Sequence, residues 1–319
     1  MALPTSGPIS LNEIHIEAGG TSGTTASIND ADIRALIGKA SGTTMSFSEW
    51  YGASAAVTIN LTIGANTNNY NIQNSRGGTY VAGVTTVNLT INSGVTVGST
   101  STGTYALETG TGWASGDVIN IINNGTIKGR GGNGGKGGNA QHGVSVENGA
   151  AGGTGGPAFH AQFACTFTNN GSVYGGGGGG GGAGGRYYDT TIGKVVSRYA
   201  DGGNGGGGGA GVNGGTGGGG GTASQIIVGT VLTNGNSGSN GTATAGGAGG
   251  TSGVGGGGLV GGAGGGLGAD GSAGTANTFV GSVTAGTPGA GGTRGFYQVG
   301  SGSINGGSGI GGTVGGRSS

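Results

Sequence analysis

Hydrophobic and polar positions alternate strictly over Val57-Thr58-Ile59-Asn60-Leu61-Thr62-Ile63. Val87-Asn88-Leu89-Thr90-Ile91 repeats the alternation, and Val95-Thr96-Val97 follows after a Ser-Gly turn. Val118-Ile119-Asn120-Ile121-Ile122 is a further run, bounded by Gly116-Asp117 and Asn124-Gly125. A period of two sends successive side chains to opposite faces of a strand. Residues 56–128 therefore predict a β domain or a short solenoid of strands, with Trp113 packed on it. Upstream the pattern changes. Ser10-x-x-Glu13 before Ile14 is a capping box with Gly19 as its stop, and Ser27-x-x-Asp30 before Ile33, Leu36 and Ile37 is a second start with Gly38 as its stop. Residues 1–55 thus predict two short helices, closing on Phe47-Ser48-Glu49-Trp50-Tyr51-Gly52.

From about Gly129 onward the period becomes three. Gly129, Gly132, Gly135 and Gly138 keep one frame, and Gly202, Gly205, Gly208, Gly211, Gly214, Gly217 and Gly220 keep another. Gly286, Gly289, Gly292 and Gly295 repeat it, as do Gly306, Gly309, Gly312 and Gly315. Three is neither the 3.6 of an α-helix nor the 2.0 of a strand. It is the period of the extended left-handed helix that has no internal hydrogen bonds. An all-glycine face lets another backbone come close enough for the free N–H and C=O groups to pair between segments. The expected fold class is mostly irregular and all-β: a small helical segment over 1–55, a β-strand connector over 56–128, and a stacked polyglycine-II helix lattice over 129–319. A tract of about 20 residues would span roughly 60 Å at about 3.1 Å per residue. Ile122-Asn123-Asn124-Gly125-Thr126-Ile127-Lys128-Gly129 is echoed by Thr168-Asn169-Asn170-Gly171-Ser172-Val173-Tyr174-Gly175, with Thr233-Asn234-Gly235-Asn236 as a degraded third copy. Repeated strand, turn and glycine units imply layers laid one against the next.

Composition tests this reading against flexible linkers and collagen. Glycine fills 94 of 319 positions, but four prolines and no unbroken Gly-X-Y run exclude collagen. Disordered chains are normally charged and poor in aliphatics, whereas only 7% of residues here are charged and net charge is zero. Ala158–Val173 and Ile226–Thr233 also interrupt the glycine with apolar content. Ordering glycine costs roughly 1 kcal/mol more than ordering alanine in regular structure, so a stack must recover this through dense backbone bonding.

Charge and cysteine content narrow the chemistry. Residues 129–319 carry seven bases against four acids, too dilute for a nucleic-acid surface. No run approaches a membrane span, and MALPTSGPISL lacks the regions of a secretory signal, so the expectation is a soluble chain made in a cytoplasm without membrane insertion. Cys165 is the lone cysteine and lies in the alternating Phe163-Ala164-Cys165-Thr166-Phe167, which reads as a buried small hydrophobe rather than a nucleophile. G-x-G-x-x-G recurs without a βαβ unit, and Lys136 precedes Gly137 rather than Ser or Thr, so nucleotide binding is not indicated. Gly265–Asp270 matches a calcium nonapeptide once, where calcium rolls need arrays. His15, His142 and His160 show no metal-ligand spacing. No catalytic residue, metal or cofactor is expected.

The loops between glycine tracts hold the candidate contacts. Arg186, Tyr187 and Tyr188 open one insertion that closes with Arg198 and Tyr199; His142 lies in another, and Arg294, Phe296 and Tyr297 lie near the C-terminus. Aromatic faces beside arginines suit a recognition surface, and they equally suit covers for the open edges of a stack. In residues 1–55, the apolar side chains Ile14, Ile33, Leu36, Phe47, Trp50 and Tyr51 make either a small core packed on the downstream chain or a docking face for another protein.

Two stretches resemble tailed-phage tail-fibre proteins. SGPISLNEI with EAGG, SINDADIRALIG and SFSEWYG resembles segments at the start of such proteins, and INSGVTVGSTSTGTYALETGTGWASGDVINIINNGTIKGRGGNGG looks like the body of the same group. The glycine zone is similar in style to the distal adhesin of T-even-like long tail fibres. The resemblance implies a virion-tail adhesin. Residues 1–55 would anchor it to a tail or fibre protein of the same virion, and loops on a polyglycine-II lattice would touch a bacterial surface receptor, an outer-membrane protein or a glycan. A purely structural fibre or collar component, and an ice-binding protein built on similar helices, are the alternatives.

Overall fold

The computed structural model describes residues 3–251, 259–275, 282–307, 309–311 and 313–318. Strands predominate and helices are few and short. Helix α1 spans Leu11–Glu17 and α2 spans Ala31–Ala35, a 3-10 turn covers Phe47–Trp50, and α3 is the single turn Ile72–Ser75. In chain order the strands are β1 (Val57–Ile63), β2 (Thr67–Asn68), β3 (Tyr70–Asn71), β4 (Thr85–Ile91), β5 (Thr96–Gly98), β6 (Leu107–Glu108), β7 (Val118–Asn123) and β8 (Thr126–Lys128). They continue with β9 (Ala140–His142), β10 (Ser145–Val146), β11 (Phe159–His160), β12 (Thr166–Asn169), β13 (Ser172–Tyr174), β14 (Arg186–Ile192) and β15 (Val195–Asp201). The last are β16 (Ala223–Gln225), β17 (Val231–Thr233), β18 (Val283–Ala285), β19 (Phe296–Val299), β20 (Thr313–Gly315) and β21 (Arg317–Ser318).

Three sheets have the orders β1-β4-β7-β12, β2-β5-β8-β13-β20 and β3-β6-β11-β19-β21. Four successive turns of the chain thus each add one strand to every sheet, as in a solenoid, and β20 and β21 extend two of them. Register explains the sequence pattern. Thr67, Val97, Ile127, Val173 and Val314 stand in one row of parallel pairs. Tyr70, Leu107, Phe159 and Gln298 form another. Val97, Ile127, Val173, Leu107 and Phe159 are all fully buried. The Asn-Asn-Gly repeat is the corner between β7 and β8 stacked under the corner between β12 and β13. Asn123 Nδ2 donates to Asn169 Oδ1 at 2.8 Å, and Asn170 Nδ2 donates to Asn124 Oδ1 at 3.0 Å. The third copy is different: Thr233 ends β17 and Gly235 N–H donates to Gly221 O, so it begins a glycine run and makes no solenoid corner.

Contacts group the chain into two compact units. One comprises Met1–Asn60, Arg76–Asn88 and Trp113–Ile119. Its core holds Leu3, Ile14, Ile33 and Trp50, with Ile9, Leu11, Ile28, Leu36 and Met45 packed around them. The Ser10–Glu13 capping box forms as read. The second start is displaced, because Asp30 accepts from Ser27 N–H at 2.7 Å and the helix begins only after it, with Asp30 as N-cap. A second box, Ser46 with Glu49, starts the 3-10 turn that delivers Trp50 to the core. Trp50 Nε1 donates to Ile33 O at 3.2 Å, which satisfies the one polar atom of that buried ring. Trp113 packs edge-on against Tyr80, with Arg76 over both rings.

Asp117 is the polar hub of this unit. Its carboxylate accepts from Tyr80 Oη at 2.6 Å and from the N–H groups of Gly83, Thr85 and Ala114 at 2.8, 3.2 and 2.8 Å. Burial alone would raise its pKa, but these bonds outweigh it and hold the carboxyl below the usual range.

The other unit comprises Leu61–Ser75, Leu89–Gly112 and Asn120–Ser319. Within it, glycine runs leave the solenoid after β8 and again after β13, and return at β11 and β19. The run 175–185 lies at the centre. Gly176, Gly179, Gly182 and Gly185 donate to carbonyls of 147–156; Gly177, Gly180 and Ala183 donate to 204–210; Gly178 and Gly181 donate to Ala269 and Ser272. Its carbonyls accept from three further runs, 129–138, 262–265 and 286–295. The run 202–211 likewise exchanges bonds with six neighbours. Each residue therefore serves a different neighbour from the next, and the same neighbour returns every third residue.

Two expectations change. The seven-glycine frame from Gly202 to Gly220 is not one tract: the chain reverses at Gly211–Gly214, where Gly214 N–H donates to Gly211 O and Gly214 has φ +36°. No run is longer than about eleven residues, roughly half the length expected. The frame from Gly306 to Gly315 forms no run of this kind among the described residues. Gly306 and Gly309 have φ of +67° and +74°, β20 follows at Thr313–Gly315, and Gly312 lies outside the described residues.

A Cβ at Gly180 would overlap the carbonyl of Gly262, whereas one at Gly219 would meet nothing within 4 Å. Gly180→Ala is expected to lower the thermal midpoint sharply. Gly219→Ala is expected to be neutral or stabilising by up to about 1 kcal/mol through the unfolded chain. Equal midpoints for the two variants would refute close packing of the runs. For Asp117, the folded pKa is depressed, so its contribution is full above the ordinary carboxylate range and fades as pH falls through the lowered value. Asp117→Ala should destabilise by about 3 kcal/mol or more near neutrality, since it strands several donors, and should flatten the acid limb of a stability–pH curve.

Candidate functional site

Hydrogen-bond register gives each glycine run a direction. Runs 129–138, 175–185, 215–221, 247–250 and 269–274 point one way, and 147–156, 202–211, 235–242, 261–265 and 286–295 point back. One end of the runs therefore carries the solenoid strands and the tight turns 211–214, 242–245 and 266–269. The other end carries the hairpin β9–β10, the hairpin β14–β15, the β16–β17 connection and β18. At this hairpin end, β17-β15-β14-β18 form one sheet and β10-β9-β16 another. Strand β9 packs against β14 and β15, and β16 packs against β15 and β17.

The hairpin β14–β15 is the longest element there. Its seven cross-strand pairs run from Arg186↔Asp201 at the base to Ile192↔Val195 at the tip, and Gly193 turns with φ +65°. At the base, Arg186 Nε donates to Asp201 Oδ2 at 2.9 Å, and Arg186 is only 1% exposed. Tyr188 stacks on its cross-strand partner Tyr199, with ring centroids 4.8 Å apart and planes 9° from parallel, and the Arg186 guanidinium lies 5.2 Å from the Tyr188 ring centre. Burial, with the nearby Asp201 charge second, pushes the Tyr188 hydroxyl pKa up. His142 Nε2 sits 2.6 Å from Asp189 Oδ1, and its ring is 5.3 Å from that of Tyr187, which ties β9 to the hairpin.

The structure thus gathers His142, Arg186, Tyr187, Tyr188, Arg198 and Tyr199 at the hairpin end. Arg186, Tyr188 and His142 are buried, while Tyr187, Arg198 and Tyr199 are half-buried. Arg294, Phe296 and Tyr297 are at the opposite end. Arg294 Nη1 donates to Gly268 O at 3.3 Å in the turn 266–269, and β19, with Phe296 and Tyr297, pairs with β11 and β21 inside the solenoid. Of the N-terminal residues, Ile14, Ile33 and Trp50 are buried, Leu36 is half-buried, and Phe47 and Tyr51 are exposed. Cys165 is buried beside Ile304, and burial pushes its thiol up to about 12, so it stays protonated at neutral pH.

Among the described residues, the hairpin end exposes several aliphatic side chains beside polar ones such as Asp189, Lys194 and Gln225. Ile192 is 82% exposed and Val228 is 92% exposed, with Val144, Val195, Val196 and Ile226 also exposed. None of these is among the contact residues expected from sequence, although Ile226–Thr233 stands out there as an apolar interruption. The signal was present: Ile226-Ile227-Val228 is a consecutive apolar run ending at Gly229, which turns with φ +89°. A run of exposed apolar residues is a functional pointer rather than an ordinary loop.

The buried pair sets a test of the hairpin base. Asp201→Ala should cost about 3–5 kcal/mol in urea unfolding, because it leaves the Arg186 charge buried without that partner. The double change Arg186→Met with Asp201→Leu should recover most of the loss. If Asp201→Ala unfolds at the native urea concentration, the pair does not hold the base.

Comparison with known proteins adds an independent observation. A search of curated proteins gives no match. Among solved structures, the chain is similar to one described as the crystal structure of the gp37-gp38 adhesin tip complex of the bacteriophage S16 long tail fiber. The TM-score is 0.46 and the identity 21%, over 97% of this chain and 99% of that chain. The family model described as phage tail fibre adhesin Gp38 matches residues 58–318. That match takes in most of the chain, and the protein belongs to the phage tail fibre adhesin family.

Proposed function

We propose that this tail adhesin contacts a bacterial surface receptor through the loops at the hairpin end of the glycine runs. The observation that carries the reading is the gathering of exposed aliphatic tips, Ile192 and Val228 foremost, at the end of the runs remote from the solenoid. Rigid elements presenting apolar side chains are what a binding surface needs, because little loop entropy is lost on contact. In this reading the runs are polyglycine-II helices packed as a lattice, and the lattice is the support. Tyr187, Arg198 and Tyr199 flank the contact, and the buried Arg186, Tyr188 and His142 hold the hairpin in place. The receptor is an outer-membrane protein or a glycan. Arg294, Phe296 and Tyr297 act as structural residues of the solenoid end.

Residues 1–55 are proposed as the virion attachment segment, 56–128 as the connector and 129–319 as the recognition domain. The chain is made in the host cytoplasm and docks on a tail or fibre protein of the same virion. The buried Ile14, Ile33 and Trp50 shape the attachment segment, with Leu36 beside them, and the exposed Phe47 and Tyr51 supply its contact face.

Ile192→Asp and Val228→Asp should each reduce phage adsorption about tenfold or more, the loss expected for a contact worth roughly 1.4 kcal/mol, without lowering the melting temperature. Phe296→Ala should do the reverse. Unchanged adsorption by both tip variants would favour a purely structural fibre component. Phe47→Glu should leave the purified chain folded but block its incorporation into particles; normal incorporation would refute the attachment role.

A further inference from the structure

The second sheet of the solenoid ends in a row where Asn68, Gly98, Lys128 and Tyr174 stand side by side. Lys128 is only 7% exposed. Its Nζ donates to Ala243 O at 3.1 Å, in the turn 242–245. Beside it lies a cavity of about 230 Å³ lined by Asn66, Thr67, Asn68, Thr96, Lys128, Val212 and Ala243. Val212, from the turn 211–214, fills the place a Cβ at Gly98 would take. Asn66 Oδ1 already accepts from Thr96 N–H at 2.8 Å, so its carboxamide is held with the oxygen engaged.

The lining contains one cation and no carboxylate. An ammonium group has three donors, and the Ala243 carbonyl satisfies one of them. A buried charge normally has a charged partner, because the cost of removing it from water is large. Burial also pulls the Lys128 pKa down, the direction expected where no anion offsets it. Val212 and Ala243 are apolar, and the other lining residues carry side-chain amides and hydroxyls, neutral donors of the kind that complete an anion's shell.

We propose that this cavity binds a small oxyanion, a carboxylate or a phosphate, between the Lys128 ammonium and the side chains of Asn66, Asn68 and Thr96. A bound oxyanion would tie the β8 end to the turns 211–214 and 242–245, at the solenoid end of the glycine runs. This site is separate from the hairpin surface and does not depend on its role.

The test is thermal melting of the full chain in sodium acetate, sodium phosphate and sodium chloride at matched ionic strength. It compares the native protein, Lys128→Met, and the surface control Lys39→Met. The expected result is a concentration-dependent rise over chloride in the native protein and the Lys39 variant, absent in Lys128→Met. A response to acetate identifies a carboxylate site, such as an Asp or Glu side chain of a bound protein would fill. A response to phosphate alone identifies a free inorganic anion. No anion-specific rise in the native protein, or an equal rise in Lys128→Met, overturns the proposal. If Lys128→Met does not fold, crystals of the native chain soaked in selenate decide. Anomalous density within hydrogen-bond distance of Lys128 Nζ supports the site, and its absence refutes it.

Discussion

Everything in the glycine zone depends on one interaction, the hydrogen bond between backbones that have no side chain in the way. A bond of this kind is worth only about 1 kcal/mol net, and each glycine ordered costs about as much in entropy relative to alanine. The balance turns favourable only when nearly every N–H and C=O is used. The run 175–185 comes close to that limit, because it bonds to six neighbours and leaves none of its faces to solvent. The condition is strict, since a Cβ at almost any glycine of this run would overlap a carbonyl of the next. Density of bonding replaces the hydrophobic core that so glycine-rich a segment cannot build.

The two ends of the runs divide the remaining work. At one end the rows of Val97, Ile127 and Val173, and of Leu107 and Phe159, form an ordinary apolar interior, and stacked Asn-Asn-Gly corners keep its coils in register. At the other end the aromatic residues are spent inward: Tyr188 on Tyr199, and Tyr187 on His142. The aliphatic tips are left outward. Side chains that would be strong recognition elements if exposed are here what fixes the hairpin's posture, and weaker but more numerous apolar groups face solvent.

Much of this was legible in the sequence, and for local reasons. Alternation over Val57–Ile63 and Val87–Ile91 predicted β1 and the core of β4, because each strand has one buried face. The Asn-Asn-Gly repeat predicted stacked layers, and the frame of three predicted bonding between runs. What stayed hidden was non-local. The reversal at Gly211–Gly214 falls inside an unbroken glycine frame, so only Val212-Asn213 marks it. Strands such as β3, β6 and β11 are two residues long and acquire their identity only from register with one another. The burial of Arg186 could not be read either, since it follows from Asp201 lying opposite it across the hairpin. For the same reason Phe296 and Tyr297 look like loop residues in sequence but belong to a solenoid strand, β19.

Because the same neighbour returns only at every third residue of a run, length changes in this protein are quantised. One residue added within 175–185 would turn every later donor toward the wrong neighbour, whereas three would restore the phase and merely lengthen the run. The hairpins at the far end obey no such rule, since a turn can absorb any number of residues beyond the last paired strand. Gene variation in a scaffold of this kind should therefore arrive as whole triplets of codons inside the runs and as arbitrary codon numbers at the tips.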